Sequence, residues 1–110
     1  MTKPTITAIQ ERAWRNKLAK GFNTVDIPLE FALAFTELGE AFDAWKRSPE
    51  TLPGELADVL IYLVSIAQMT GVDLSQAVAD KLADNEGRTY TRNSRGHQVK
   101  AVAEQTGGAA

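Results

Sequence analysis

Cysteine is absent from the sequence, which excludes disulfides and thiolate metal sites and fits a reducing compartment, with the cytoplasm as the expected location. Histidine is nearly absent as well. The single one, His97, stands beside Gly96 near the C-terminal end without a companion suited to catalysis, so no imidazole-based site is expected. Long apolar runs are missing too. The longest nearly uncharged stretch, Val59 to Val72, is shorter than the roughly 20 residues needed to cross a bilayer and is interrupted by Tyr62, Ser65 and Gln68. Met1-Thr2-Lys3-Pro4 shows no basic region leading into an apolar run, so no signal peptide is expected. These features predict a soluble protein with no membrane partner. An excess of positive charge is also lacking: the formal net charge is -2 and the pI about 5.3, which argues against a nucleic-acid surface.

What is present is a chain of 110 residues, 44% hydrophobic, long enough for one globular domain. A domain of this size buries only about two-thirds of its unfolded surface, so burial between subunits would help it. Hydrophobic periodicity gives four helical patterns and no strand, an all-α class. The first helix is expected over 4–20, stopped by Gly21. The second opens with Asp26 as N-cap and Pro28 in its first turn, carries Phe31, Ala34, Phe35, Leu38, Ala41, Phe42 and Trp45 at helical spacing, and ends near Arg47. The third runs from about Thr51 to Gly71. Its apolar positions cover so much of its circumference that a central helix surrounded by protein is expected. The fourth has Asp73 as N-cap, Gln76 at capping-box spacing and Gly87 at its end. Beyond Arg88 the pattern dissolves, and a domain over 1–97 with a flexible tail over 98–110 is predicted.

Glu37 and Glu40 lie at i, i+3 on the second helix, and Glu55 and Asp58 at i, i+3 on the third, so each pair projects from one side of its helix. Like charges at this spacing repel, and on an ordinary surface helix nearby Lys or Arg would balance them. Here no Lys or Arg occurs between Arg47 and Lys81, while Glu50, Glu55, Asp58, Asp73 and Asp80 all fall in that interval. A helix dipole favours anions in the first turn by only about 0.3–1 kcal/mol, too little to offset four carboxylates packed together. The short connection from Ser48 to Leu52 makes the two helices antiparallel neighbours, so that all four can converge. Four oxygen donors without His or Cys suit a hard divalent cation, magnesium above all where phosphates are handled.

Glu37-Leu-Gly-Glu40, fourteen intervening residues, then Glu55-Leu-Ala-Asp58-Val-Leu-Ile resembles the ExxE…ExxD signature of MazG-like, all-α nucleoside triphosphate pyrophosphohydrolases. The likeness extends to Ala19-Lys20-Gly21-Phe22 before the second helix, and to Gly71-Val-Asp73-Leu, Lys81, Asn85 and Arg88-Thr-Tyr90 after the third, covering about residues 5 to 97. Thr36 and Thr89 depart from the residues common in that family. The resemblance implies a four-to-five-helix bundle assembled into an oligomeric helical core, a homodimer or homotetramer. It also implies hydrolysis of a nucleoside triphosphate to monophosphate and pyrophosphate, with magnesium, replaceable by manganese, held by Glu37, Glu40, Glu55 and Asp58.

Lys81, Asn85 and Arg88 follow i, i+4, i+7 on one face of the fourth helix, and in the resemblance they contact the phosphates together with Tyr90. Trp14 is a candidate to stack on the base, and Lys17 and Lys20 to reach a phosphate. Two other readings are a phosphoribosyl-ATP pyrophosphohydrolase and a non-enzymatic helical oligomerisation module whose carboxylates pair with Arg12, Arg15 and Lys17 of the first helix or of a partner.

Overall fold

The computed structural model describes residues 2–101. Helix α1 (Ile6–Lys20) begins where the Thr5 hydroxyl accepts the Ala8 N–H at 3.1 Å, and ends at Gly21, whose φ of 67° is left-handed and lets the chain turn away. Helix α2 (Ile27–Arg47) is capped by Asp26, which accepts the Leu29 N–H at 3.1 Å, with Pro28 in the first turn, where its missing N–H costs nothing. A 3-10 turn (Pro49–Thr51) folds the chain back into α3 (Leu52–Met69). Asp73 then accepts the Gln76 N–H at 3.1 Å and opens α4 (Leu74–Glu86).

The expectation of an all-helical chain needs correction at its end. Strands β1 (Tyr90–Arg92) and β2 (Gln98–Lys100) pair antiparallel, with Tyr90 opposite Lys100 and Arg92 opposite Gln98. A boundary at residue 97 therefore cuts a hairpin: residues 98–100 are paired strand, the Ala101 N–H bonds to the Thr89 carbonyl at 2.8 Å, and residues 102–110 of the expected tail lie outside the described residues. Both strands are exposed on every residue, so they carry none of the apolar alternation that announces a strand. The turn organises them instead. The Asn93 carboxamide oxygen accepts the N–H groups of Arg95 at 3.0 Å and His97 at 2.9 Å, while the Asn93 N–H bonds to the His97 carbonyl at 2.7 Å.

The chain divides into two compact units, Met1–Ala77 and Val78–Ala110. In the first, α3 packs against both α2 and α1. Ala34, Ala41 and Ala44 of α2 and Val64, Ile66 and Ala67 of α3 form its buried apolar core. Side chains this small let two helix backbones approach closely, which brings the acidic positions of α2 and α3 together.

The expectation that α3 is enclosed on all sides does not hold within one chain. Only Val64 to Ala67 are buried along it, while Leu56, Leu60, Ile61 and Leu63 remain exposed. Counted with the preceding turn, the 21 residues Pro49–Met69 are by length and composition alone long and apolar enough to cross a membrane. Glu55 and Asp58 weigh against that use, since insertion of one carboxylate near a bilayer centre costs roughly 2.5–3.5 kcal/mol. Helix α2 has its own uncovered stripe: Phe31, Phe35, Leu38, Phe42 and Trp45 recur at alternating steps of four and three and are all exposed, Phe35 to 74%.

Candidate functional site

The Pro49–Thr51 turn is short enough that the C-terminal half of α2 and the first turns of α3 lie side by side. One carboxylate oxygen from each of Glu37, Glu55 and Asp58 lies within 4.8 Å of the other two. Glu40 stands outside that group of three, one helical turn from Glu37 and close enough for its charge to raise the Glu37 pKa. Glu40 and Glu55 also border a cleft of about 450 Å³ with Thr36, Gly39 and Thr51. The four acidic residues are thus neighbours, three as a cluster and one as a flanking partner.

Slight desolvation, and repulsion from Glu40, Asp58 and Glu55, hold the Glu37 carboxyl above its ordinary pKa. No Lys or Arg forms an ion pair with any of the four among the described residues. Among the described residues, Arg12, Arg15 and Lys17 of the first helix therefore do not balance them. A carboxylate cluster without internal cations fits a divalent ion by its donor chemistry: all oxygen, no sulfur or imidazole, and few enough protein ligands to leave room for waters or phosphate oxygens.

One and two turns along the same face from Asp58 and Glu55 stands Tyr62, half-buried. Burial pushes its phenol above the ordinary value, reinforced by the carboxylates of Glu37, Glu30, Asp58 and Glu40. Tyr62 therefore stands between the acidic cluster and a second carboxylate, Glu30.

Glu30 is 1% exposed and is paired with Lys17 at 2.5 Å. This corrects the expectation that Lys17 reaches a phosphate: its ammonium is buried, holding Glu30 and donating to the Asn23 carbonyl at 2.9 Å. The Asn23 carboxamide donates to Glu30 Oε2 at 3.1 Å and to the Asp26 carbonyl at 2.8 Å, and its oxygen accepts the Asp26 N–H at 2.9 Å. The loop between α1 and α2 is thereby tied to both helices. These residues line a cavity of about 210 Å³ with Phe22, Leu33 and Tyr62.

The other sequence candidates fall in both units. Lys20 is exposed and donates to Asn16 at 2.7 Å, and Trp14 is half-buried on α1. Lys81, Asn85, Arg88 and Tyr90 belong to the second unit. There Arg88 is held by Asp84 at 2.9 Å and Asn85 at 2.8 Å, while Lys81 and Tyr90 are exposed. Glu30, Asn23 and Tyr62 were missed by sequence reasoning. Spacing carried a usable signal, since Glu30 precedes Glu37 by seven residues and Tyr62 follows Glu55 by seven, which keeps each on its carboxylate's helix face. No local pattern announces that Lys17 and Glu30 meet.

Residues 31–91 match the model of the MazG nucleotide pyrophosphohydrolase domain. A dATP/dGTP diphosphohydrolase of Salmonella phage PMBT28 is 54% identical over 39 residues, 36% of this chain and only 13% of the length of that protein. A dCTP pyrophosphatase 1 of Bos taurus is 30% identical over 114 residues, covering 90% of this chain and 68% of its own. Among solved structures, the Cyanophage S-2L MazG-like pyrophosphohydrolase bound to dGDP and three catalytic Mn2+ ions per active site matches with a TM-score of 0.63 and 27% identity, over 91% of this chain and all of that one.

Proposed function

This chain belongs to the MazG nucleotide pyrophosphohydrolase family, and on that premise we propose that it hydrolyses nucleoside triphosphates, ribo or deoxy, between the α- and β-phosphates to monophosphate and pyrophosphate. The observation that carries the reading is the convergence of Glu37, Glu55 and Asp58, all inside the segment that matches the family, with no internal cation to balance them. These three would hold magnesium or manganese, and the manganese in the phage neighbour supports that occupant. A divalent ion supplies neutralisation of phosphate oxygens and a bound water acidic enough to be deprotonated near neutral pH. Glu40, beside Glu37 and bordering the same cleft as Glu55, would be a fourth ligand. Lys81, Asn85, Arg88 and Tyr90 are candidates for phosphate contacts on the family resemblance. The nucleotides in the relatives' names, dCTP, dATP and dGTP, are the first substrates to try. Pyrophosphate release from this set should require added magnesium or manganese and vanish with chelator; release of orthophosphate alone would sink the reading.

The same proposal includes a second copy of the chain. The exposed stripe from Phe31 to Trp45 on α2 and the uncovered Leu56, Leu60 and Leu63 on α3 form more apolar surface than a lone subunit leaves to water. Phe42 and Trp45 stack with ring centres 6.1 Å apart, and Lys46 lies 5.2 Å over the Phe42 ring, which stiffens the stripe. A homodimer or homotetramer is expected by light scattering at micromolar concentration, and a stable mass near 12.0 kDa would exclude it.

A further inference from the structure

We propose that Glu30, braced by Lys17 and Asn23, selects the base of the substrate: the cavity beside it takes a nucleobase, and the Glu30 carboxylate accepts a hydrogen bond from an exocyclic amino group on that base. This deepens the triphosphate reading and rests on it. The first ground is placement. On α2, Glu30, Leu33 and Glu37 follow i, i+3, i+7, and on α3, Glu55, Asp58 and Tyr62 do the same, so cavity and acidic cluster share one face of each helix. Seven residues of helix rise about 10 Å, which leaves room for a sugar between a base at Glu30 and phosphates at Glu37.

The second ground is size and lining. The cavity, about 210 Å³, is below the roughly 300–1,000 Å³ of pockets that enclose drug-sized ligands, so it suits one flat ring system rather than a whole nucleotide. Phe22, Leu33 and Tyr62 give it apolar and aromatic walls. Phosphate is disfavoured there by the Glu30 charge, and a metal ion by the ammonium of Lys17.

The third ground is unused acceptor capacity. A carboxylate offers about four lone-pair directions. Asn23 takes one on Oε2 and the Lys17 ammonium takes one on Oε1, which leaves about two of the four directions unused. A buried acceptor in this state favours a ligand donor and rejects a ligand carbonyl, because two facing acceptors repel and leave both desolvated. Cytosine, adenine and guanine carry an exocyclic amino group, whereas uracil and thymine put a carbonyl where cytosine has it.

Steady-state kinetics at saturating magnesium test this with two substrate pairs that differ by the amino group: dCTP against dUTP, and dATP against the deoxynucleotide of unsubstituted purine. The amino-bearing member of each pair should have the higher kcat/KM by about tenfold or more, the worth of a hydrogen bond to a charged group. Glu30→Gln, whose amide offers donor as well as acceptor, should bring the dCTP to dUTP ratio close to one. Because this variant also removes the counter-ion of Lys17, the comparison on the unaltered protein carries the test by itself. Equal efficiencies within both pairs, or an unchanged ratio in Glu30→Gln with native helical circular dichroism, overturn this assignment alone. Absence of hydrolysis with all four, and with dGTP and the ribonucleoside triphosphates as well, overturns the pyrophosphohydrolase reading and this assignment with it.

Discussion

Replacing Asp58 by Asn, or Glu55 by Gln, is expected to abolish metal-dependent pyrophosphate release while leaving the helical circular dichroism spectrum unchanged. Each substitution keeps the size of the side chain and removes one of three charged donors from a cluster whose oxygens lie within 4.8 Å of one another. Loss of an outer-shell partner of a metal ligand already costs roughly 10–100-fold in affinity or activity, and loss of a ligand should exceed that. The metal-free protein should respond in the other direction. Glu37 binds its proton more tightly in the folded chain than in the unfolded one, so its contribution to stability is present at low pH and is lost as pH rises through the raised folded value. Above that range the cluster repels itself, and removing the charge of Asp58 or Glu55 relieves it. Without metal, either variant should therefore melt at or slightly above the parent temperature near neutral pH. Near wild-type turnover in either would refute the assignment of these carboxylates.

Lys17→Met should destabilise the protein by roughly 3–5 kcal/mol, because it leaves Glu30, 1% exposed, without the cation that compensates its burial. For a domain of this size that is a fall in Tm on the order of 15 °C. Replacing both partners at once, Lys17→Met with Glu30→Met, removes the desolvation cost along with the attraction, and buried pairs exchanged for apolar residues range from neutral to about 1–4 kcal/mol more stable. Urea denaturation of the parent, the single and the double variant closes the cycle. A single variant as stable as the parent would mean that water reaches Glu30 freely. The double variant should also lose base discrimination while retaining its helices, which separates the stability of the pair from its role in selection.

The helices were legible in the sequence because their signals are local. Asp26 and Asp73 cap the helices they were expected to cap, and Gly21 and Gly87 end α1 and α4. The carboxylate pairs were legible from i, i+3 spacing and a stretch without cations, although their convergence depended on the turn at Pro49. The Lys17–Glu30 pair was not, since it joins residues on two helices across a loop and neither carries a periodic signal. The sequence offers Lys17 as a candidate to reach a phosphate, and only the packing of α1 buries it against Glu30. The hairpin was missed because its order comes from one asparagine side chain in the turn, not from apolar alternation along the strands.

Among the described residues, the buried apolar side chains of the first unit are four alanines, one valine and one isoleucine. Small side chains allow close helix contact, but they remove little hydrocarbon from water, at about 0.8 kcal/mol per buried methylene. The larger apolar groups, from Phe31 to Trp45 on α2 and from Leu56 to Leu63 on α3, remain at the surface of a single chain. In the assembly proposed above, folding and association then merge into one equilibrium, and the resistance of each subunit to heat or urea becomes a property of how much protein is present.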